Sequence, residues 1–82
     1  MNSVIIDIRD EYKYVNGHLD DAVNIMESNL IYNHNKYLNK NTIYYIYCDY
    51  GNRSKYVVSY LNSVGYNCVN IEGGYNNYLL EK

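Results

Sequence analysis

Cys48-Asp49-Tyr50-Gly51-Asn52-Arg53-Ser54 lies between two stretches of opposite character. Before it, Thr42-Ile43-Tyr44-Tyr45-Ile46-Tyr47 is β-branched and aromatic throughout, the composition of a largely buried central strand. After it, Val57, Val58, Leu61 and Val64 recur at i, i+1, i+4 and i+7. They draw one apolar stripe along a helix predicted from about Arg53 to Val64, which Gly65 then ends. The seven residues are therefore a strand-to-helix junction. A thiol at such a junction faces several backbone N–H groups and the positive end of the helix dipole.

That position bears on reactivity. A free cysteine has a pKa of about 8.5, and a helix N-terminus or a nearby cation lowers it toward the range where the thiolate dominates at neutral pH. Gly51 suits a loop whose amides must converge, because it accepts positive φ and leaves room at the centre. Arg53 adds a fixed charge, Ser54 a capping or first-turn hydroxyl, and Lys55 further positive balance. A cysteine at a strand end also serves as a small buried hydrophobe. The combination Cys-x-x-Gly-x-Arg-Ser is what favours the nucleophile.

Working outward, Val4 to Ile8 is apolar except for Asp7, as expected of a parallel strand covered on both faces. Asp10 to Asn16 reads as a short helix stopped by Gly17. Ala22 to Ile25 reads as a short strand, and Glu27 to Leu38 as a weak helix with Leu30, Ile31, His34 and Leu38 on one face. Asn39-Lys40-Asn41 turns into the central strand. Cys68 to Ile71 is the last strand, with Cys68 as core packing, and Tyr75 to Leu80 a closing helix. Strands alternating with helices predict an α/β fold: a parallel sheet of about four strands flanked by helices. Sites in such sheets lie at the carboxyl ends of the strands, where Cys48 stands.

Eighty-two residues bound the chain to one small domain, 1–82, that buries only about 60% of the surface its unfolded form exposes. With 48% hydrophobic and 20% charged residues it is globular, and a net charge of −2 with two arginines gives no nucleic-acid footprint. The 13 Tyr and 14 Asn, with no Pro, Phe or Trp, reflect codon bias rather than a tyrosine-based function. No apolar run approaches the ~20 residues of a membrane span, and Met1-Asn2-Ser3 lacks the start of a secretory signal. Two cysteines outside a Cys-x-x-Cys pair give no disulfide framework, so a reduced, cytoplasmic protein is expected. His34 has no second His or Cys at ligand spacing, and neither metal nor cofactor is expected.

The loop Cys48 to Ser54 resembles the active-site loop of the rhodaneses, the single-domain sulfurtransferases. Val4-Ile5-Ile6-Asp7-Ile8-Arg9 is similar to that family's strand ending in Asp-x-Arg, and Gly17-His18-Leu19 with Ala22 to its Gly-His-Ile-Pro-Gly-Ala turn. Gly65-Tyr66 and Glu72-Gly73-Gly74-Tyr75 resemble its later Gly-Tyr and Gly-Gly-Phe signatures, in the family's order from Val4 to Leu79. The resemblance implies sulfur transfer through a Cys48 persulfide, from thiosulfate or a protein persulfide to cyanide or another thiol. Asp49, Tyr50, Gly51, Asn52, Arg53 and Ser54 would bind the substrate, with loop amides on the sulfur and Arg53 on an anionic donor. It implies a structural His18, and a bend at Gly73-Gly74 that brings the last strand's exit beside the active loop. Asp7 and Arg9 are expected to fix the loops at the carboxyl ends of the strands.

The chain also departs from the pattern. Lys13 stands where the family usually has glutamate, Asp20-Asp21 replace Pro-Gly in the turn, and Tyr78 stands near a frequent Trp. Asp49 is expected to point outward, because a carboxylate beside the thiol opposes ionisation. The family's usual N-terminal strand and helix are missing, so the Cys68–Ile71 strand is expected to be an open edge, and a monomer or weak dimer to result. Two other readings stand beside the sulfurtransferase: a non-catalytic rhodanese-like binding module, and a phosphatase or arsenate reductase.

Loop length separates the last of these. Four residues stand between Cys48 and Arg53 in the loop, against five between cysteine and arginine in the related phosphatases and arsenate reductases. The shorter loop has room for one sulfur atom and cannot reach the three equatorial oxygens of a phosphoryl group. Thiosulfate-to-cyanide transfer without aryl phosphatase activity is the expected outcome. Efficient aryl phosphate hydrolysis that is lost in Cys48→Ser would overturn it.

Overall fold

The computed structural model describes residues 2–81. Its strands are β1 (Asn2–Asp7), β2 (Val23–Asn24), β3 (Thr42–Tyr47) and β4 (Asn67–Asn70), and its helices α1 (Glu11–Asn16), α2 (Glu27–Tyr32), α3 (His34–Tyr37), α4 (Asn52–Ser63) and α5 (Gly74–Leu80). The four strands form one sheet in the order β2-β1-β3-β4, and every pairing is parallel. This is the expected α/β architecture. No helix among the described residues is long and apolar enough to cross a membrane.

Sequence character explains the layering. β1 and β3 are the inner strands, and Ile6, Ile46 and Tyr47 are completely buried, as their continuous apolar runs require. Leu30 of α2 and Val57, Val58 and Leu61 of α4 join the same core, so the helical stripe of α4 faces the sheet. Cys68 is buried on β4 and packs into this core.

Two elements differ from expectation. The helix expected over Glu27–Leu38 breaks at Asn33, whose φ of −133° and ψ of 26° separate α2 from α3. Asparagine favours local alternatives to helix, and Asn29, Asn33 and Asn35 in one short segment leave little propensity to carry it through. β1 starts earlier than expected, with Asn2 and Ser3 paired to Thr42 and Ile43 of β3. Asn2 and Ser3 therefore extend an inner strand and leave β4 as an edge strand of the described sheet, with Val69 exposed. In the turn before β2, Asp21 adopts φ 67°, taking the left-handed conformation at the position where the resembled turn has glycine.

A buried polar node ties the carboxyl ends of β1 and β3 together. Asp7 is fully buried and accepts hydrogen bonds from the Arg9 backbone N–H (2.8 Å), Arg9 Nη2 (2.7 Å) and Tyr47 Oη (2.7 Å). Tyr47 Oη accepts in turn from Leu19 N–H, and Arg9 Nη2 donates to Gly17 O at 2.6 Å. One ion pair thus reaches from two strands into the α1–β2 turn. Burial and the Asp7 bond push the Tyr47 phenol well above its ordinary pKa, so it stays a donor. Tyr47→Phe is expected to cost about 1–3 kcal/mol, because a buried carboxylate loses a donor. Urea unfolding measures this, and an unchanged midpoint would mean that the hydroxyl does not serve Asp7.

Candidate active site

Cys48 follows β3 directly and lies at the floor of a cleft of about 240 Å³ at the carboxyl end of the sheet. The walls are Ile8 and Arg9 after β1, Asp10 and Lys13 around α1, and Asp49, Tyr50, Asn52 and Arg53 of the loop. Gly51 and Ser54 are buried beneath the loop. Gly51 N–H points at Cys48 Sγ from 3.2 Å and Ser54 N–H from 3.4 Å, with Ser54 Oγ at 3.3 Å. Gly51, in the left-handed conformation at φ 93°, is the N-cap of α4 and has no side chain to cap with. Sγ therefore receives the Ser54 N–H, an orphan donor of the first turn that a capping side chain usually takes.

These contacts decide the ionisation of the two cysteines. Burial opposes the Cys48 thiolate. The Ser54 hydroxyl and the N–H groups of Ser54, Gly51 and Tyr50 outweigh it and hold its pKa below that of an ordinary thiol. Burial alone acts on Cys68 and pushes it up to about 11. The thiolate is thus favoured at Cys48 and opposed at Cys68.

The loop is held from behind by the start of α5. Tyr75 N–H donates to Cys48 O and Asn76 N–H to Asp49 O, both at 2.9 Å. This close approach needs Gly74: a Cβ there would overlap both carbonyl oxygens, and its φ of 57° is itself in the left-handed region. The Gly73-Gly74 bend thus does bring the exit of β4 against the active loop. From the same helix, the Tyr75 ring lies 4.1 Å from the Arg9 guanidinium carbon and stacks on Tyr78 at 5.8 Å.

One expectation about charge is corrected. Asp49 does not point outward: its carboxylate turns along the cleft wall to Lys13 Nζ at 2.7 Å and Arg9 Nη1 at 3.6 Å. Two opposite charges within reach outweigh solvation at a half-exposed site. The hydrogen bond and charge of Asp49 raise the Lys13 pKa. Arg53 lines the same cleft, and its side chain, 73% exposed, pairs through Nε with Glu27 Oε1 of α2 at 3.1 Å.

Sequence reasoning passed over Arg9, Lys13 and Asn70 as site residues. The signal for Lys13 was its departure from the glutamate usual at that place in the resembled family. Asn70 carried no signal, since its contacts with Ser54 and Gly51 cross between β4 and the loop. His18 lies away from the thiol, its Nδ1 2.7 Å from Tyr14 O and its ring stacked on Tyr14 at 3.8 Å. His34 faces Tyr66, with Nδ1 3.1 Å from the phenol oxygen.

Known proteins resemble this chain in sequence and fold. A protein of Ogataea parapolymorpha described as adenylyltransferase and sulfurtransferase uba4 is 35% identical over 71 residues, which cover 85% of this chain but only 18% of that protein. A rhodanese-related protein from Thermoplasma volcanium superposes with a TM-score of 0.87 at 30% identity, over 96% of this chain and 78% of its own. A rhodanese-like domain protein from Staphylococcus aureus does so with a TM-score of 0.76 at 34% identity, over 90% and 87%. The profile of the rhodanese-like domain matches residues 1–81, and with a parallel sheet that ends at an amide-lined cysteine the chain belongs to the rhodanese-like domain family.

Proposed function

We propose that this protein is a sulfurtransferase in which Cys48 carries the sulfur. The observation that carries the reading is the convergence of Gly51 N–H and Ser54 N–H on Cys48 Sγ at the floor of an open cleft. Membership of a family with sulfurtransferases among its members supports it.

The chemistry is a two-step displacement. The Cys48 thiolate attacks the outer sulfur of thiosulfate, forming an S–S bond as the bond to the inner sulfur breaks. Sulfite leaves with the electron pair, and the terminal sulfur of the Cys48 persulfide keeps one negative charge. Cyanide or an acceptor thiolate then attacks that terminal sulfur, and Cys48 leaves as a thiolate. No net oxidation of the protein occurs over the cycle. The loop amides are already oriented before the charge reaches them, which is why they stabilise it at little reorganisation cost. Asp49, Tyr50, Gly51, Asn52 and Ser54 shape the loop around the sulfur, and Arg53 meets an incoming anion at the rim.

The ion pairs bear on the donor. Asp49 occupies Lys13 and Arg9, the two cations nearest the floor of the cleft, so a dianionic donor meets cations already paired. A less charged persulfide donor would lose less to this pairing than thiosulfate does.

Incubation with thiosulfate should add the mass of one sulfur to the wild type and to Cys68→Ser, and none to Cys48→Ser. Sulfur on Cys68 would sink the assignment. For Asp49→Asn, KM for thiosulfate in cyanide-coupled assays should fall by up to about fivefold, the worth of a partly exposed ion pair. An unchanged or higher KM would mean that Asp49 does not compete with the donor.

A further inference from the structure

One proton at the floor of the cleft has two acceptors. Ser54 Oγ lies 2.5 Å from Asn70 Oδ1 and 3.3 Å from Cys48 Sγ, and a serine hydroxyl has a single proton to give. The orientation of the Asn70 amide is fixed from its other side, where Nδ2 donates to Gly51 O at 3.2 Å. Turning the amide over would set its oxygen against the Gly51 carbonyl oxygen, so Oδ1 faces Ser54. Ser54 is fully buried, and Asn70 half-buried.

The two ionisation states of Cys48 make opposite demands on that proton. In the thiol state every donor is satisfied when Ser54 O–H donates to Asn70 Oδ1 and the Cys48 S–H donates to Ser54 Oγ. When the thiol proton leaves through the cleft to solvent, Sγ becomes an acceptor only. A hydroxyl still turned to Asn70 would then present its oxygen to a negative sulfur.

We propose that Asn70 is a positioning residue that holds the Ser54 hydroxyl proton while Cys48 is a thiol, and gives it up to Cys48 Sγ when the thiolate forms. The proton stays on Ser54 Oγ throughout; only the O–H direction changes, and no bond to carbon or sulfur is made or broken. Through Nδ2 the same side chain braces Gly51, whose N–H is another donor to Sγ. Asn70 thus couples the helix end of the loop to its glycine. Because the thiolate must win the hydroxyl from an amide oxygen, the Ser54 contribution to the thiolate is smaller than a free hydroxyl would make. This inference rests on the reading of Cys48 as the reacting thiolate.

Other charges around the thiol are Arg9 after β1, Asp10 and Lys13 at α1, Asp49 of the loop and Arg53 of α4. From β4 come the uncharged Asn70 and the neutral, high-pKa Cys68. A comparison that alters only Ser54 and Asn70 keeps these charges constant.

The test is the pH profile of Cys48 alkylation by iodoacetamide, followed by peptide mass mapping, in a double-mutant cycle of Ser54→Ala and Asn70→Leu. Asn70→Leu should shift the midpoint down and raise the rate below it by about two- to tenfold, the worth of one hydrogen bond released to the sulfur. The same substitution in the Ser54→Ala background should give no downward shift, because only the loss of the Gly51 contact remains. No shift, an upward shift, or an equal shift in both backgrounds overturns the proposal. If Asn70→Leu does not fold, Asn70→Ala serves in its place. The wild type gives an independent readout: below the midpoint, the Cys48 S–H infrared band, identified by its loss on alkylation, should lie at lower frequency than a free thiol. A band at the free-thiol position overturns the proposal too. Neither measurement uses a sulfur donor, so failure of persulfide formation would end the sulfurtransferase reading and leave this coupling intact.

Discussion

Cys48 Sγ takes the place of a capping side chain at the start of α4, and much of the structure follows from keeping it there. The sulfur must sit within hydrogen-bonding distance of Gly51 and Ser54 while the loop turns back within a few residues. Such a loop leaves its own carbonyls facing outward, and those of Cys48 and Asp49 need donors. Tyr75 and Asn76 at the start of α5 supply them, across a contact only Gly74 permits. The loop is therefore held from three sides, by β3 before it, α4 after it and α5 behind it. Such support is what holds a site within the tolerances that catalysis needs.

The Asp7, Arg9 and Tyr47 node serves the same end from below. Its fully buried carboxylate is tolerable only because every acceptor position meets a donor, and breaking it would leave a buried charge uncompensated. Burial opposes the Arg9 charge, but the bonds and charge of Asp7 outweigh it and keep the guanidinium protonated. Arg9 thus fixes the strand ends and, through Asp49, also sets the charge of the cleft wall. Structural and functional electrostatics share one residue. Lys13 and Asp49 face one another across the same wall as an ion pair.

Features with a local cause were legible in the sequence. The apolar run of β3, the stripe of α4 and the glycine between Cys48 and Ser54 each act within a few residues, and together they located the strand, the helix and the thiol. Cys68 as core packing followed from its place in a strand without charged neighbours. Features that depend on side chains meeting across the fold were not legible. The pairing of Arg53 with Glu27 of α2 joins residues 26 apart in sequence, and nothing local to either announced it. Asp49 looked like a solvent-facing acid because its partners, Lys13 and Arg9, come from elements about forty residues away in sequence. Asn70 is an unremarkable strand-end asparagine until the fold lays it against Ser54 and Gly51.

The account stands on Cys48 being a thiolate under conditions in which Cys68 is not, and competitive alkylation of the two in one folded protein measures that directly. A lowered pKa in the folded state keeps the reactive form present as pH falls below the ordinary thiol range, and loses it only on passing below the lowered value. Trace labelling across about pH 5–9, with peptide mapping of both sites, should find Cys48 modified with a midpoint below that of an ordinary thiol, and Cys68, whose pKa is pushed up to about 11, protected throughout. A Cys48 profile that follows an ordinary thiol, or equal labelling of Cys68, would contradict the account.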